Sequence, residues 1–447
     1  MKFPALLTLS LALLTAPAAA APGTPKLSVE QYQLDNGLTV LLSQDTRLPV
    51  VAVEVRYLVG SSHERPGRSG FAHLFEHLMF QGSQNFPDEY FKPFEPIGAL
   101  VNGTTNQDRT NYFERVPSNY LELALWMESD RMFHMLPALT QSGLDNQRDV
   151  VKNERRQRYE NVPYGMSWIH LTQNVFPAGH PYHEPVIGSH QDLTAASLSD
   201  VKGFFREYYT PANAVITIVG DFQAPQAKAL VKKYFNSAAS GKRAAVPTTA
   251  LPRMTEVKHI TETDDVKLPR VMFAWPTPAL FAKGDAELDL WSSVLSRGKT
   301  SRLYKPLVYD QKVAKDVAAF QASMRLGSFY VVQATAAPKV SVEKLEKALK
   351  KALIEALAKP PSEDELARAK NGYKKDFFER LESVVSRSST LATYFQYTGS
   401  ADYLEKDLLR YTSPSAKDVH SAAKEWLKLD GYLRLDVVAG AKAGGAK

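Results

Sequence analysis

Ser69-Gly-Phe-Ala-His-Leu-Phe-Glu-His-Leu-Met-Phe-Gln-Gly-Ser83 is the stretch around which the chain is organised. Its spacing predicts one helix, with Ser69 as N-cap and Gly82 as the stop. Phe71, Leu74, Phe75, Leu78 and Met79 recur at i, i+3, i+4, i+7 and i+8 and make one apolar face. His73, Glu76 and His77 fall on the opposite side, within an arc of about 100° at the helical step. Two imidazoles one turn apart can grip one metal ion, with a carboxylate beside them. The apolar side anchors the helix; the His/Glu side is free to line a cleft.

Working outward, Asp35-Asn36-Gly37 separates two apolar runs, 29–34 and 38–43, which is a strong hairpin signal. Residues 50–60 alternate as a long strand with Val51, Val53, Val55, Tyr57 and Val59 on one face. Residues 100–116 read as extended structure around a polar turn, Asn102-Gly-Thr-Thr-Asn106. Helices are predicted at 120–135 and, highly charged, at 144–159, where Gln147, Val151, Glu154 and Arg158 share a stripe. Residues 161–193, with four prolines, read as loop-rich; 198–208 reads as a helix and 214–221 as a strand.

The 447 residues allow two or three domains, and 44% hydrophobic with 23% charged residues is the composition of a soluble globular protein. A net charge of +6, with no concentrated basic patch, argues against a nucleic-acid partner. Residues 1–20 have the pattern of a signal peptide: Lys2, an apolar run from Ala5 to Leu14, and small residues before Ala21. That run is too short to span a bilayer, so the expectation is an exported, periplasmic protein without a membrane span. There is no cysteine, so a metal here must be held by His, Asp or Glu.

Residues 237–252, rich in Ala, Ser, Thr, Gly and Pro, read as a linker between domains at 27–236 and 253–440. The second part repeats the first weakly. Helices are expected at 286–295, 342–357 and 363–381, and a strand at 327–334. Leu198-Ser-Asp-Val-Lys followed by Ala214-Val-Ile-Thr-Ile-Val-Gly is echoed by Pro414-Ser-Ala-Lys-Asp-Val followed by Tyr432-Leu-Arg-Leu-Asp-Val-Val-Ala-Gly. The expected fold is α+β: two homologous domains, each a largely antiparallel sheet with helices on one face. Superposing the repeats sets Asp289, Ser292 and Ser293 opposite His73, Glu76 and His77, and Gly372 opposite Glu154. Residues needed only for packing would recur in both halves; their restriction to one argues for chemistry.

His73-x-x-Glu76-His77 is followed, after 76 intervening residues, by Glu154 in Arg148-Asp-Val-Val-Lys-Asn-Glu154. With Asn102-Gly-Thr-Thr and the loop Pro181-Tyr182 to Pro185-Val-Ile-Gly188, this resembles the pitrilysin/insulinase-type (inverzincin) zinc metallopeptidases, which include mitochondrial processing peptidase. The resemblance covers nearly the whole chain after the signal and implies half of a clamshell. It implies Zn2+ held by His73, His77 and Glu154, with water in the fourth position and Glu76 as general base. It also implies a peptide substrate paired along the strand that carries Asn102.

Two departures matter. Family members carry a second glutamate two turns before the third ligand, and here that place is Gln147. They also carry an Arg and a Tyr, seven apart, in the metal-free part, and here the matching places read Val308 and Lys315. The expected state is therefore a hetero-oligomer with a related subunit supplying that pair, with a homodimer as the other form. Two readings of other classes stand beside the peptidase: a non-catalytic scaffold subunit, and a metal- or peptide-binding protein without turnover.

Overall fold

The computed structural model describes residues 27–236 and 240–440; the expected signal peptide, 1–20, lies outside the described residues. The first half runs β1 (Glu30–Gln33), β2 (Thr39–Gln44), β3 (Val50–Tyr57), α1 (Phe71–Leu78), β4 (Leu100–Thr105), β5 (Thr110–Pro117), α2 (Leu121–Ala138), α3 (Gln141–Arg155), α4 (Gly165–Val175), α5 (His190–Ala195), α6 (Leu198–Tyr208), β6 (Ala214–Gly220) and α7 (Ala224–Phe235). The second runs β7 (Val257–Asp264), β8 (Arg270–Thr277), α8 (Asp285–Ser296), β9 (Ala314–Ala322), β10 (Ser328–Ala336), α9 (Val342–Leu357), α10 (Glu363–Glu382), α11 (Val384–Thr398), α12 (Leu404–Thr412), α13 (Ala416–Trp426) and β11 (Tyr432–Ala439). Residues 240–255 between them form neither helix nor strand.

The sheets have orders β1-β2-β6-β3-β5-β4 and β7-β11-β8-β10-β9. In each, one parallel pair (β2 with β6, β7 with β11) joins an otherwise antiparallel set. Apart from β1, the two sheets therefore share one topology, and the weak echo in sequence is a duplication of structure. The repeated entry to the last strand is built from the same local chemistry. Ser197 and Asp200 at the start of α6, and Ser415 and Asp418 at the start of α13, each form a reciprocal capping box.

On β3 the alternation places Val51, Val53, Val55 and Tyr57 in the core with Phe71, Leu74 and Phe75 of α1. The reverse face of this sheet is buried as well. Leu41, Val215 and Val219 meet Leu391 and Phe395 of α11, a helix from the second half. Reciprocally, Met272, Ala274, Val331 and Leu433 of the second sheet meet Leu171 and Val175 of α4, from the first half. Each half thus lends one helix to the other's sheet.

Residues 161–193 are loop-rich, as expected, around one helix that takes part in this exchange. Between Pro163 and Pro177 no proline interrupts, and α4 forms there with Ile169, Leu171 and Val175 buried. The polar turn expected at Asn102-Gly-Thr-Thr-Asn106 is instead the end of edge strand β4, and the turn is 106–109. There Asn106 Oδ1 accepts from the backbone N–H groups of Asp108 and Arg109, at 2.8 and 2.9 Å. The start of the first helix also differs. Ser69 does not cap it; its Oγ donates to Asp192. The N-cap is Gly70 at φ 87°, and the N–H groups of Gly70 and Ala72 are satisfied by the carboxylate of Glu64. A side chain at Gly70 would come within 2.8 Å of the Gly188 backbone.

The clasp of α11 on the first sheet is polar at its centre. Glu54 and Arg56, 0% and 2% exposed, pair at 2.8 Å. Arg56 also donates to Ser389, Thr393 and Gln396 of α11, at 3.0, 2.8 and 3.2 Å. A pair taken out of water in this way is held by satisfaction of every partner, and removing one member strands the other. Arg56→Ala should therefore lower stability by about 3–5 kcal/mol in urea denaturation.

Candidate metal centre

Helix α1 lies between α3 and the edge strand β4. Leu74, Phe75 and Leu78 point into the core, which fixes the rotation of the helix and turns Glu76 and His77 toward the cleft, with His73 at its floor, 7% exposed. Arg155, the last residue of α3, donates to the Gly188 carbonyl at 2.7 Å, so the 181–188 loop ties the end of α3 to the start of α1.

The two helices bring together the residues expected from sequence. Glu154 Oε2 lies 3.1 Å from His77 Nε2 and 3.7 Å from His73 Nε2. The imidazole rings stand 4.8 Å apart and nearly perpendicular, at 78°. One donor atom from each of His73, His77 and Glu154 lies within 4.8 Å of the others, and among the described residues this is the one such trio. Burial, then the neighbouring His77, pushes His73 down to about 4, so its lone pair stays available at neutral pH. Burial raises the Glu154 carboxyl, but the His77 hydrogen bond with His73 and Arg158 outweighs it and holds the group below its ordinary range. Two imidazoles and one carboxylate, converging from two helices, fit a small divalent cation with nitrogen and oxygen preference.

Glu76 stands beside this trio. Burial raises its carboxyl, and the hydrogen bond from Thr105 opposes that. A carboxyl whose pKa is raised, standing next to the donor set, is suited to taking up and passing on a proton. Asn102 lies on β4 at the rim, and Gln147, 5% exposed, lies in the wall; both line the same cleft of about 520 Å³.

Four residues of the cleft were not among the site residues expected from sequence. Thr105 donates to Glu76 Oε2 at 2.5 Å. Arg158 pairs with Glu154 Oε1 at 2.8 Å, which leaves Oε2 for the imidazoles. Phe80 and Phe91 stack at 4.8 Å against the cleft wall. Arg158 left a signal in its place on the stripe with Glu154, and Thr105 in the motif Asn102-Gly-Thr-Thr, although that segment also read as a turn.

The second half has other contacts at the matching places. Asp289 accepts from Tyr411 at 2.7 Å, and Ser292 donates to the Leu288 carbonyl at 3.0 Å. A side chain at Gly372 would meet the Arg297 guanidinium, which is paired with Asp376 at 2.8 Å. Val308 is half-buried and Lys315 is exposed at the start of β9.

Comparison with known proteins agrees with this organisation. The family described as "Insulinase (Peptidase family M16)" matches residues 39–174, and "Peptidase M16 inactive domain" matches 195–373. The chain is 31% identical to "Zinc protease PqqE" of Helicobacter pylori, over 88% of this chain and 91% of that protein. It is 22% identical to "Uncharacterized zinc protease YmxG" of Bacillus subtilis, over 91% and 98%. A crystal structure of a protease from Helicobacter pylori superposes with a TM-score of 0.85 at 28% identity, over 92% of this chain and all of that one. The periplasmic protease PqqL from Escherichia coli shares the fold, with a TM-score of 0.76 at 17% identity; this chain covers 93% of itself and 48% of PqqL. This chain belongs to the insulinase family of peptidases, family M16.

Proposed function

We propose that the chain is an exported zinc-dependent endopeptidase or oligopeptidase that cleaves peptides and unfolded segments. The observation that carries this reading is the convergence of His73, His77 and Glu154 from two helices, with Glu76 beside them, facing an open strand edge. The names of the relatives, zinc proteases, point to the metal. The first half, 27–236, is the metal-binding domain, and 253–440 is its metal-free homologue. Among the described residues no helix is long and apolar enough to cross a membrane. The periplasm as destination rests on the sequence of residues 1–20 and on the fold shared with PqqL.

His73, His77 and Glu154 would hold the zinc ion. When bound, zinc supplies a Lewis acid for the scissile carbonyl and lowers the pKa of water. The peptide backbone adds along β4, with Asn102 at its edge, so recognition rests on main-chain hydrogen bonds. Glu76, with Oε2 engaged by Thr105, takes the proton of the attacking water on Oε1 and returns it to the leaving amine. Gln147 cannot add negative charge to the wall, and Arg158 removes some, so the cleft is less anionic than the family pattern implies.

The chain makes one bowl of the family's clamshell, the other coming from a related subunit that supplies an Arg and a Tyr seven apart. Its match to 48% of PqqL, where one longer chain carries the rest, supports that division. A scaffold subunit without turnover is the competing reading, favoured by Val308 and Lys315 at the clamp positions and disfavoured by the complete ligand set.

Incubation of the purified protein with a mixed peptide library, with zinc measured by elemental analysis, separates these readings. Glu76→Gln should keep zinc and lose about 10²–10⁴-fold in kcat. Glu154→Gln should lose zinc itself, and chelation should abolish cleavage by the wild type, with recovery on adding zinc. If a related subunit co-purifies, recombining it with the isolated chain should raise kcat/KM. Stoichiometric zinc with no cleavage, partner present, supports a metal- or peptide-binding protein without turnover instead.

A further inference from the structure

We propose that Thr105 is a positioning residue whose hydroxyl fixes the Glu76 carboxylate in the cleft. This rests on the reading of Glu76 as general base.

A glutamate side chain has three torsions, and a base that wanders spends little time in reach of its proton. Among the described residues, the hydrogen bond that reaches the Glu76 carboxylate is the 2.5 Å contact from Thr105 Oγ1. It occupies Oε2 and leaves Oε1 to the cleft. The donor is neutral, so it orients the carboxylate without quenching its charge, as a lysine or arginine would.

Thr105 is itself well held. It is β-branched, with few side-chain rotamers, at the end of a paired strand. On the reverse side of β4, Thr104 donates to Asn111 at 2.6 Å and Asn111 to Glu54 at 3.0 Å, next to the Arg56 clasp. The following turn is fixed by Asp108, 3% exposed, which accepts from Tyr182, Tyr397 and the Arg325 backbone at 2.5, 3.1 and 3.0 Å. On the front, a Cβ at Gly103 would stand 3.1 Å from Glu76 Cγ, so strand and helix are already in close contact. The hydroxyl is therefore presented to Glu76 by an immobile frame, half of which belongs to the metal-free domain.

The test uses the full chain, zinc-loaded, with a peptide that the wild type cleaves. Thr105→Val keeps the shape and removes the donor; Thr105→Ser keeps the donor. Thr105→Val should lower kcat about 10- to 100-fold with KM and zinc content within twofold, the loss of one hydrogen bond to a charged group. Thr105→Ser should stay within about threefold of wild type. In the Glu76→Gln background, adding Thr105→Val should leave the dissociation constant for the same peptide within twofold. Wild-type kcat in Thr105→Val overturns the proposal, as does equal damage from Thr105→Ser or a tenfold weaker peptide affinity in the double variant. Should Thr105→Val not fold, Thr105→Ala carries the same expectations. Full activity in Glu76→Gln alone sinks the general-base reading, independently of Thr105.

Discussion

Covering the reverse faces of two sheets is the constraint on which the molecule depends. A β-sheet of apolar strands cannot leave Val215, Val219, Met272 or Leu433 in water, and in each half the reverse face is covered by a helix from the other. The exchange of α4 and α11 solves the problem for both at once. It also gives a structural role to the second half, in which no trio of metal-type donors converges among the described residues. Without α11 the pair Glu54 and Arg56 would face solvent rather than a wall of hydroxyls and an amide. The strands next to that pair are the ones that lead to the cleft.

The division of labour extends to the site. The metal-type residues come from α1 and α3, both in the first half. The strand that faces them is steadied from behind and at its turn by groups of the second half. In the cleft, charge is arranged more sparingly than the family pattern suggests. Arg158 takes one oxygen of Glu154, Thr105 takes one of Glu76, and Gln147 stands where a third carboxylate is usual. Each carboxylate thereby has one oxygen committed and one directed inward.

What could be read in the sequence was whatever is decided locally. The apolar stripe of α1, the Asn-Gly hairpin and the alternation of β3 depend on neighbours three or four residues away at most. The helices 198–208 and 342–357 have the bounds read from the sequence, each capped by the serine that precedes it. What could not be read is decided across the chain. Helix α11 has no clean apolar stripe, because Ser389, Thr393 and Gln396 turn toward Arg56. Ser69 resembles a cap but is drawn to Asp192, while Glu64 serves the helix from outside it. Glu154 was found through its spacing from His77, a family pattern, since 76 residues hold no local physical information. Thr105 needed the register of β4 before its side of the strand was known.

The four outer strands of the two sheets differ in one respect. β1 carries Glu30, β7 carries Lys258 and Glu262, and β9 carries Lys315 and Asp316. β4, Leu-Val-Asn-Gly-Thr-Thr, carries no charge at all. Charged residues on an outer strand are how proteins discourage unwanted pairing with other chains. Three borders of this molecule are guarded in that way, and the fourth, which runs past His73, Glu76 and His77, is the one left receptive to a visiting backbone.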